Sequence, residues 1–272
     1  MAEAVAAVTV GVAISSATDR LEAAGCDTPR LDAELLLAEV LGVRRERLLL
    51  DRDAPLLGDA RFAQLLARRE AREPVAYILG RKGFRRIEVG VDRRVLIPRP
   101  ETELLVEVGL GLPTGWRVAD VGTGSGAIAL ALKDERPNLA VRGLDVSPDA
   151  VDVARANAAR LNLDVEFDTC DLINDRAYDA VLANLPYVCE GAVLAPEISD
   201  YEPAGALFAG VDGLDLIRRL VEVAAGRTPL LALELDPAQT GTVESALRSS
   251  GFAAVERLRD LAGRERVVVG RA

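Results

Sequence analysis

The chain has 272 residues, half of them hydrophobic, which is enough for one α/β domain and a smaller companion, and its net charge of −10 gives no general attraction to nucleic acid. It contains no histidine, so Ser-His and Cys-His nucleophilic pairs, histidine bases and histidine metal sites are all excluded. Chemistry must run on carboxylates, amides, tyrosines, backbone groups or a cofactor. Cys26, Cys170 and Cys189 show no paired spacing, which argues against a disulfide framework or a zinc site and for a reducing compartment.

The apolar start from Ala4 to Ile14 follows Glu3 and precedes the first base, Arg20, the reverse of a signal peptide, and it is too short to span a bilayer. A cytoplasmic protein is expected. From the start to about Gly80 the apolar residues recur at steps of three and four, punctuated by Gly25, Pro29, Gly42, Pro55 and Gly58. Between Leu31 and Leu41 the acids fall opposite a broad leucine face, predicting a small bundle of short helices. From Arg81 to Leu96 the period changes to alternation around Phe84, Ile87, Val89, Val91 and Val95, as in a β-hairpin or extended linker. The prolines of Ile97-Pro98-Arg99-Pro100-Glu101-Thr102-Glu103 halt that pattern, and the acids suit the first turn of a helix. Two prolines around Arg99 would also make a rigid rim for a cleft.

Trp116 to Val121 reads as a strand, Gly122-Thr123-Gly124-Ser125-Gly126 as a tight loop, and Ala127 to Leu132 as the start of a helix. Gly122, Gly124 and Ala127 meet the relaxed dinucleotide pattern, so a nicotinamide oxidoreductase must be weighed. Asp120 opposes it. A carboxylate there would face a pyrophosphate, whereas S-adenosylmethionine brings a cationic ammonium and sulfonium. The next strand, Val141 to Asp145, ends on an acid about twenty residues past the loop, where a carboxylate can take both ribose hydroxyls. A third strand, Val165 to Phe167, leads to Asp171, an acceptor for an adenine amino group, and Leu172, a cover for the ring.

The fourth strand stops on Asn184-Leu185-Pro186-Tyr187. Parallel sheets bind ligands beyond their strand carboxyl ends, so Asn184 is expected at the mouth of a cleft. Its carboxamide and the Leu185 carbonyl can each accept a hydrogen bond, Pro186 fixes the turn and Tyr187 offers a flat face, together a holder for a planar NH2 group. Pro229 to Leu235 reads as a fifth strand and Gln239 to Ser249 as a helix. Phe252 to Leu258 and Arg266 to Gly270 read as a closing antiparallel pair.

With these residues assembled, the chain resembles the glutamine N5-methyltransferases of peptide chain release factors. The likeness runs from Arg72–Gly80 and Leu96–Glu103 through Asp120–Gly126, Asp145–Pro148, Asn184–Tyr187, Glu202-Pro203 and Gly210–Leu214 to Asp260–Arg266. The glycine loop is shared by many methyltransferases; the proline-arginine-proline segment and the ending are more specific. The family motif is Asn-Pro-Pro-Tyr. Here Leu185 replaces its first proline, which makes the four residues look like the motif of adenine N6-methyltransferases of ribosomal RNA. Leu172 stands where relatives often carry an aromatic.

The resemblance implies a class I methyltransferase, with a doubly wound, mostly parallel seven-stranded α/β sheet and a small helical amino-terminal domain. Residues 1–80 are expected to form the helical substrate-recognition domain, 81–97 a β-hairpin linker and 98–272 the methyltransferase domain. The implied activity methylates the Gly-Gly-Gln glutamine of class I release factors with S-adenosylmethionine, yielding S-adenosylhomocysteine. Asp120, Gly122, Thr123, Gly124, Ser125, Gly126, Asp145, Asp171, Leu172 and Asn184 are the expected cofactor residues. Asn184, Leu185, Pro186 and Tyr187 are the catalytic candidates, and with Arg99, Glu101 and Glu202 the substrate-binding ones. No metal, membrane or direct nucleic-acid contact is expected, and the chain is expected to be a monomer. The alternatives are an adenine N6-methyltransferase of nucleic acid, the nicotinamide enzyme and a binding module without activity.

Overall fold

The structure, a computed structural model, describes residues 8–56 and 60–272; Ala4–Ala7 of the apolar start and the turn residue Gly58 lie outside them. Helical spacing at the amino terminus is realised as α1 (Val10–Ala23), α2 (Pro29–Leu41), α3 (Arg45–Leu50), α4 (Ala60–Glu70) and α5 (Val75–Leu79). Thr9 caps α1 by accepting from the Val12 N–H, and α2 starts on Pro29 and stops at the left-handed Gly42. Leu21, Leu36, Leu37, Leu48, Phe62 and Leu66 share one core.

The acids of α2 do not all lie on a solvated face, as their position opposite the leucines suggested. Asp32 and Glu34 are buried and met by arginines, Arg69 and Arg45 from elsewhere in the fold and Arg30 from α2 itself. Arg69 Nε donates to Asp32 Oδ2 at 2.7 Å, and Arg69 and Arg72 both donate to Glu197 at 2.9 and 2.6 Å. Glu197 sits on a four-residue helix far along the chain, Pro196–Ser199. Ala195–Tyr201 therefore packs with the described residues up to Gly80 as one compact unit, although the sequence boundaries assign it to the methyltransferase segment. The second unit is Arg81–Leu194 with Glu202–Ala272.

In the second unit β1 (Arg81–Phe84) and β2 (Ile87–Gly90) form an antiparallel hairpin. A 3-10 turn, Pro100–Thr102, leads into α6 (Glu103–Leu110). Then follow β3 (Arg117–Val121), α7 (Ala127–Glu135), β4 (Ala140–Asp145), α8 (Pro148–Leu161), β5 (Glu166–Thr169) and β6 (Ala180–Ala183). After the Pro196–Ser199 helix, α9, come α10 (Asp215–Ala224), β7 (Leu230–Glu234), α11 (Thr240–Ser249), β8 (Ala254–Arg259) and β9 (Glu265–Arg271). The seven strands run in the order β5-β4-β3-β6-β7-β9-β8, parallel from β5 to β7, with β9 antiparallel to both β7 and β8. This is the doubly wound sheet with a closing hairpin that the sequence predicts.

Alternation along the buried strands divides the core. Val181, Leu231 and Leu233 pack with Ile217 and Leu220 of α10 and Val243 and Leu247 of α11. Leu182 turns to the opposite face, where Gly109 of α6 comes so close that a methyl there would lie 3.4 Å from its Cδ1. Among the described residues, no helix is long and apolar enough to cross a membrane.

Arg69→Met would leave the Asp32 carboxylate buried without a counter-charge, which costs about 3 to 5 kcal/mol. Amide hydrogen exchange in α2 and α4 is expected to speed up accordingly, and unchanged exchange would show that the pair contributes nothing to this unit.

Candidate active site

Parallel pairing puts the carboxyl ends of β3, β4, β5 and β6 along one edge of the sheet, so the turns that follow them are neighbours. The first is the glycine loop. Asp120, 1% exposed, lies beneath it rather than on the cavity wall: its Oδ2 accepts from the Thr123 hydroxyl at 2.6 Å and from the Ala129 N–H at 3.1 Å. One acid thus ties the loop to the first turn of α7. Its Oδ1 has no partner among the described residues, and burial pushes its pKa up to about 7. Gly122 has φ +73°, and a Cβ there would meet Leu185 Cδ2 at 2.9 Å and the Asn184 carbonyl oxygen at 3.4 Å. Only glycine lets the loop and the turn after β6 approach this closely.

Asp145 joins the second turn to the first. Its Oδ2 accepts from the Gly124 N–H and its Oδ1 from the Ser147 N–H, each at 2.9 Å, while burial raises its pKa. The carboxylate keeps acceptor capacity free for a ligand. After β5, Leu172 takes a left-handed backbone, φ 62°, and is buried, whereas the Asp171 carboxylate is largely exposed and pairs with Arg219 at 2.7 Å. After β6, Asn184 Nδ2 donates to the Thr102 hydroxyl at 3.0 Å.

One cavity is lined by Gly122, Thr123, Gly124 and Ser125, by Asp145, by Asp171 and Leu172, and by Asn184, Leu185 and Pro186. Six other sequence candidates stand outside its wall. Asp120 is beneath the loop, and Gly126 caps α7. Tyr187 is largely buried, which raises its phenol pKa, and its hydroxyl donates to Glu234 Oε1 at 3.5 Å. Glu202 is buried, accepting from Arg99 Nη2 at 2.5 Å and the Ile97 N–H at 3.4 Å; burial raises its pKa while Arg99 opposes that rise. Arg99 and Glu202 thus brace the proline-rich segment. Glu101 sits in the 3-10 turn before α6, off the cavity wall.

Several residues that are not among the candidate site residues belong to this region. Leu96, Pro98 and Thr102 line the cavity from one side and Pro203 and Ala206 from another. Gln239 stitches the turns together by donating to the Tyr187 and Asp212 carbonyls at 2.9 and 3.0 Å. Glu234, 1% exposed, has its Oε2 without a partner among the described residues, and burial pushes its pKa up to about 7. The signal for Glu234 was present: it is the one charged residue at the end of an otherwise apolar strand, Leu230–Leu235. No group of acids, cysteines or histidines among the described residues could hold a metal ion.

A seven-stranded sheet of this order, with a glycine loop over a buried acid after its first parallel strand and a second acid ending the next, defines a class I methyltransferase. Family models agree: one described as PrmC N-terminal domain matches residues 13–80, and one described as methyltransferase small domain matches residues 100–198. A release factor glutamine methyltransferase of Mycolicibacterium smegmatis is 42% identical, covering 94% of this chain and 95% of the relative. Another, from Koribacter versatilis, is 40% identical and covers 97% and 98%. The chain belongs to the release factor glutamine methyltransferase family. A solved methyltransferase from Pyrococcus furiosus, 16% identical with a TM-score of 0.53, covers 79% of this chain and 98% of its own and shares the fold.

In the folded chain Asp120 and Glu234 keep their protons to about pH 7, against ordinary values of 3.8 and 4.5. The folded state therefore binds more protons than the unfolded one between about pH 4.5 and 7, and these two groups make stability fall as pH rises through that window. Urea denaturation across it is expected to show the decline, and Asp120→Asn or Glu234→Gln to flatten it. A slope that neither substitution changes would mean that these carboxyls titrate normally.

Proposed function

We propose that the protein transfers a methyl group from S-adenosylmethionine to the side-chain nitrogen of the glutamine in the Gly-Gly-Gln loop of class I peptide chain release factors. The observation that carries this reading is the Asn184 carboxamide, which commits its Nδ2 to Thr102 and lines the same cavity as the glycine loop and Asp145. The printed names of the relatives support the same substrate.

The cavity residues fit the cofactor. The Gly124 backbone is bare of contacts for a Cβ, as a close ligand approach requires, and Asp145 has acceptor capacity left for a ribose diol. Leu172 is an apolar cover and Asp171 an acceptor for an adenine, and Thr123 and Ser125 lie on the wall between. Asp120 acts from below by fixing the loop. When bound, S-adenosylmethionine supplies an electrophilic methyl on a cationic sulfur and is released as S-adenosylhomocysteine.

An amide nitrogen is a poor nucleophile, since its lone pair takes part in the resonance behind the ~18 to 20 kcal/mol barrier of a peptide bond. The protein's task is therefore orientation. Asn184 Oδ1 and the Leu185 carbonyl accept the two hydrogens of the glutamine NH2 group, and Pro186 stiffens the turn that carries them. Holding a reacting group in this way can supply up to about 7 to 11 kcal/mol. With S-adenosylmethionine bound, the held nitrogen would take the methyl as the bond from sulfur to that methyl breaks, and would then lose its proton to water. No histidine is needed. Tyr187, Arg99 and Glu202 shape the surroundings of the holder, with Glu101 beside them, and the helical unit of residues 1–80 serves release-factor recognition.

Asn184→Ala is expected to bind cofactor almost as the parent does while losing turnover by at least about a hundredfold. Labelled S-adenosylmethionine with purified release factor, native and with its loop glutamine replaced, is the assay. Label that enters the glutamine-less factor equally, or enters RNA instead, would overturn the assignment.

A further inference from the structure

Asp145 and Asp171 both line the cavity, and they are held in opposite ways. Asp145 is oriented by the backbone around it, its oxygens accepting from the Gly124 and Ser147 N–H groups. Asp171, on the turn after β5, accepts from no backbone group among the described residues, and in water so short an acid swings between rotamers. Its one partner among the described residues is Arg219 of α10, whose Nη2 donates to Oδ2 at 2.7 Å. The turn itself is tied down elsewhere. The Cys170 N–H donates to the Asp145 carbonyl at 2.8 Å, Cys170 Sγ donates to the Leu172 carbonyl at 3.6 Å, and Arg227, just past α10, donates to the Asn174 carbonyl at 3.1 Å. Leu172 is buried in its left-handed backbone. The path of the backbone therefore does not need Arg219, and what the arginine controls is the carboxylate.

We propose that Arg219 braces the Asp171 carboxylate toward the amino group of the cofactor's adenine, and so sets the preference for adenine over a purine that carries a ring carbonyl in that place. The inference rests on the reading of Asp171 as the adenine acceptor given above. An ionised carboxylate offers acceptors alone. The guanidinium takes Oδ2, and Oδ1, which has no partner among the described residues, is left for the NH2 group. With adenine, donor meets acceptor. With the carbonyl in its place two acceptors face each other without a proton between them, and the ring is rejected. The strength of that rejection depends on how firmly the carboxylate is held, because a free side chain rotates away from the clash at little cost. Arg219 is a positioning residue, since it stands off the cavity wall and acts through Asp171.

Leu216 supports the same assignment for α10. It lies three residues before Arg219, on the same side of the helix, is half-buried and lines the cavity. One helix thus gives the adenine end an apolar wall and, beside it, a brace for the acid. The pair contributes little to the fold itself, since the Arg219 and Asp171 side chains are 51% and 58% exposed and ion pairs in water are weak. An ordinary surface pair leaves cofactor selectivity untouched. A brace shows there and hardly at all in stability. Lysine at 219 would keep the charge without the planar fork, and so hold the carboxylate less firmly.

The test is titration calorimetry of the full chain with S-adenosylhomocysteine and with S-inosylhomocysteine, its counterpart with a ring carbonyl, so that binding is read without turnover. Parent, Arg219→Ala, Arg219→Lys, Asp171→Asn and the double variant of Arg219→Ala with Asp171→Asn are compared, with urea denaturation alongside. The parent is expected to prefer the adenosyl compound by at least about tenfold. Arg219→Ala should shrink that preference by about two- to fivefold, weakening the adenosyl compound more than the inosyl one, and should unfold at the parent's urea midpoint. Arg219→Lys should fall between the two, and high salt should narrow the gap between parent and Arg219→Ala. Asp171→Asn, whose side chain can donate as well as accept, should lose most of the preference, and adding Arg219→Ala to it should cost nothing further. Parental preference in Arg219→Ala, with preference lost in Asp171→Asn, would overturn the brace and leave Asp171 as the adenine acceptor. Parental preference in Asp171→Asn would overturn both. An equal loss for the two compounds in Arg219→Ala would overturn the brace by reducing the arginine to a structural part, and binding of neither compound to the parent would overturn the cofactor assignment and the brace with it.

Discussion

Parallel pairing of β3 with both β4 and β6 is the constraint on which the site depends. Parallel strands all end on the same edge, so the turns that follow Val121, Asp145, Thr169 and Ala183 must be neighbours in space although some sixty residues separate the first from the last. The chain closes the arrangement with cross-links between turns as well as within them. Gly124 donates to Asp145, Gly122 lies under Leu185, and Gln239 ties the Tyr187 turn to Asp212. Gly213 shows how tight this is, since a Cβ there would collide with the Tyr187 carbonyl oxygen.

Buried acids fall into two groups with different physics. Asp32 and Glu202 are each met by an arginine, so their charge is compensated on the spot. Asp120 and Glu234 have hydroxyls and backbone N–H groups instead, and in each one oxygen is left over. The first pair anchors chain segments: Arg69 and Arg72 hold Glu197 and with it the stretch Ala195–Tyr201, and Arg99 holds the start of the segment that returns at Glu202. The second pair stands at the ends of two central strands, immediately behind the glycine loop and the Asn184 turn. Burial without a cation raises both pKa values toward neutrality, which makes the back of the cavity sensitive to pH.

Leu185, where the family motif carries proline, has a packing explanation. Its side chain is 5% exposed and lies against Gly122, a position of the glycine loop that has no Cβ. A proline ring stiffens such a turn covalently; here van der Waals contact with Gly122 restrains it, and the carbonyl assigned to the substrate is common to both residues. The resemblance of Asn-Leu-Pro-Tyr to an RNA-modifying motif therefore concerns the stiffness of the turn, and the match over nearly the whole chain identifies the family.

Sequence alone determined the order of strands and helices, because small and branched apolar runs bounded by glycine and proline have few other solutions, and it located the glycine loop, Asp145 and Asn184, because each ends a strand. It also indicated the family, through segments spread from Arg72 to Arg266. Tertiary structure decided which way side chains turned and who met them. Asp120 supports the loop from below instead of facing a ligand, and Tyr187 reaches inward to Glu234. Thr102 and Asn184, eighty-two positions apart, share a hydrogen bond, and Glu197 leaves its sequence neighbours to join the helical unit. Local pattern fixes the path of the backbone through periodicity, but a polar side chain buried in a core takes its partner from whatever long-range packing brings within 3 Å, and no local pattern records that distance.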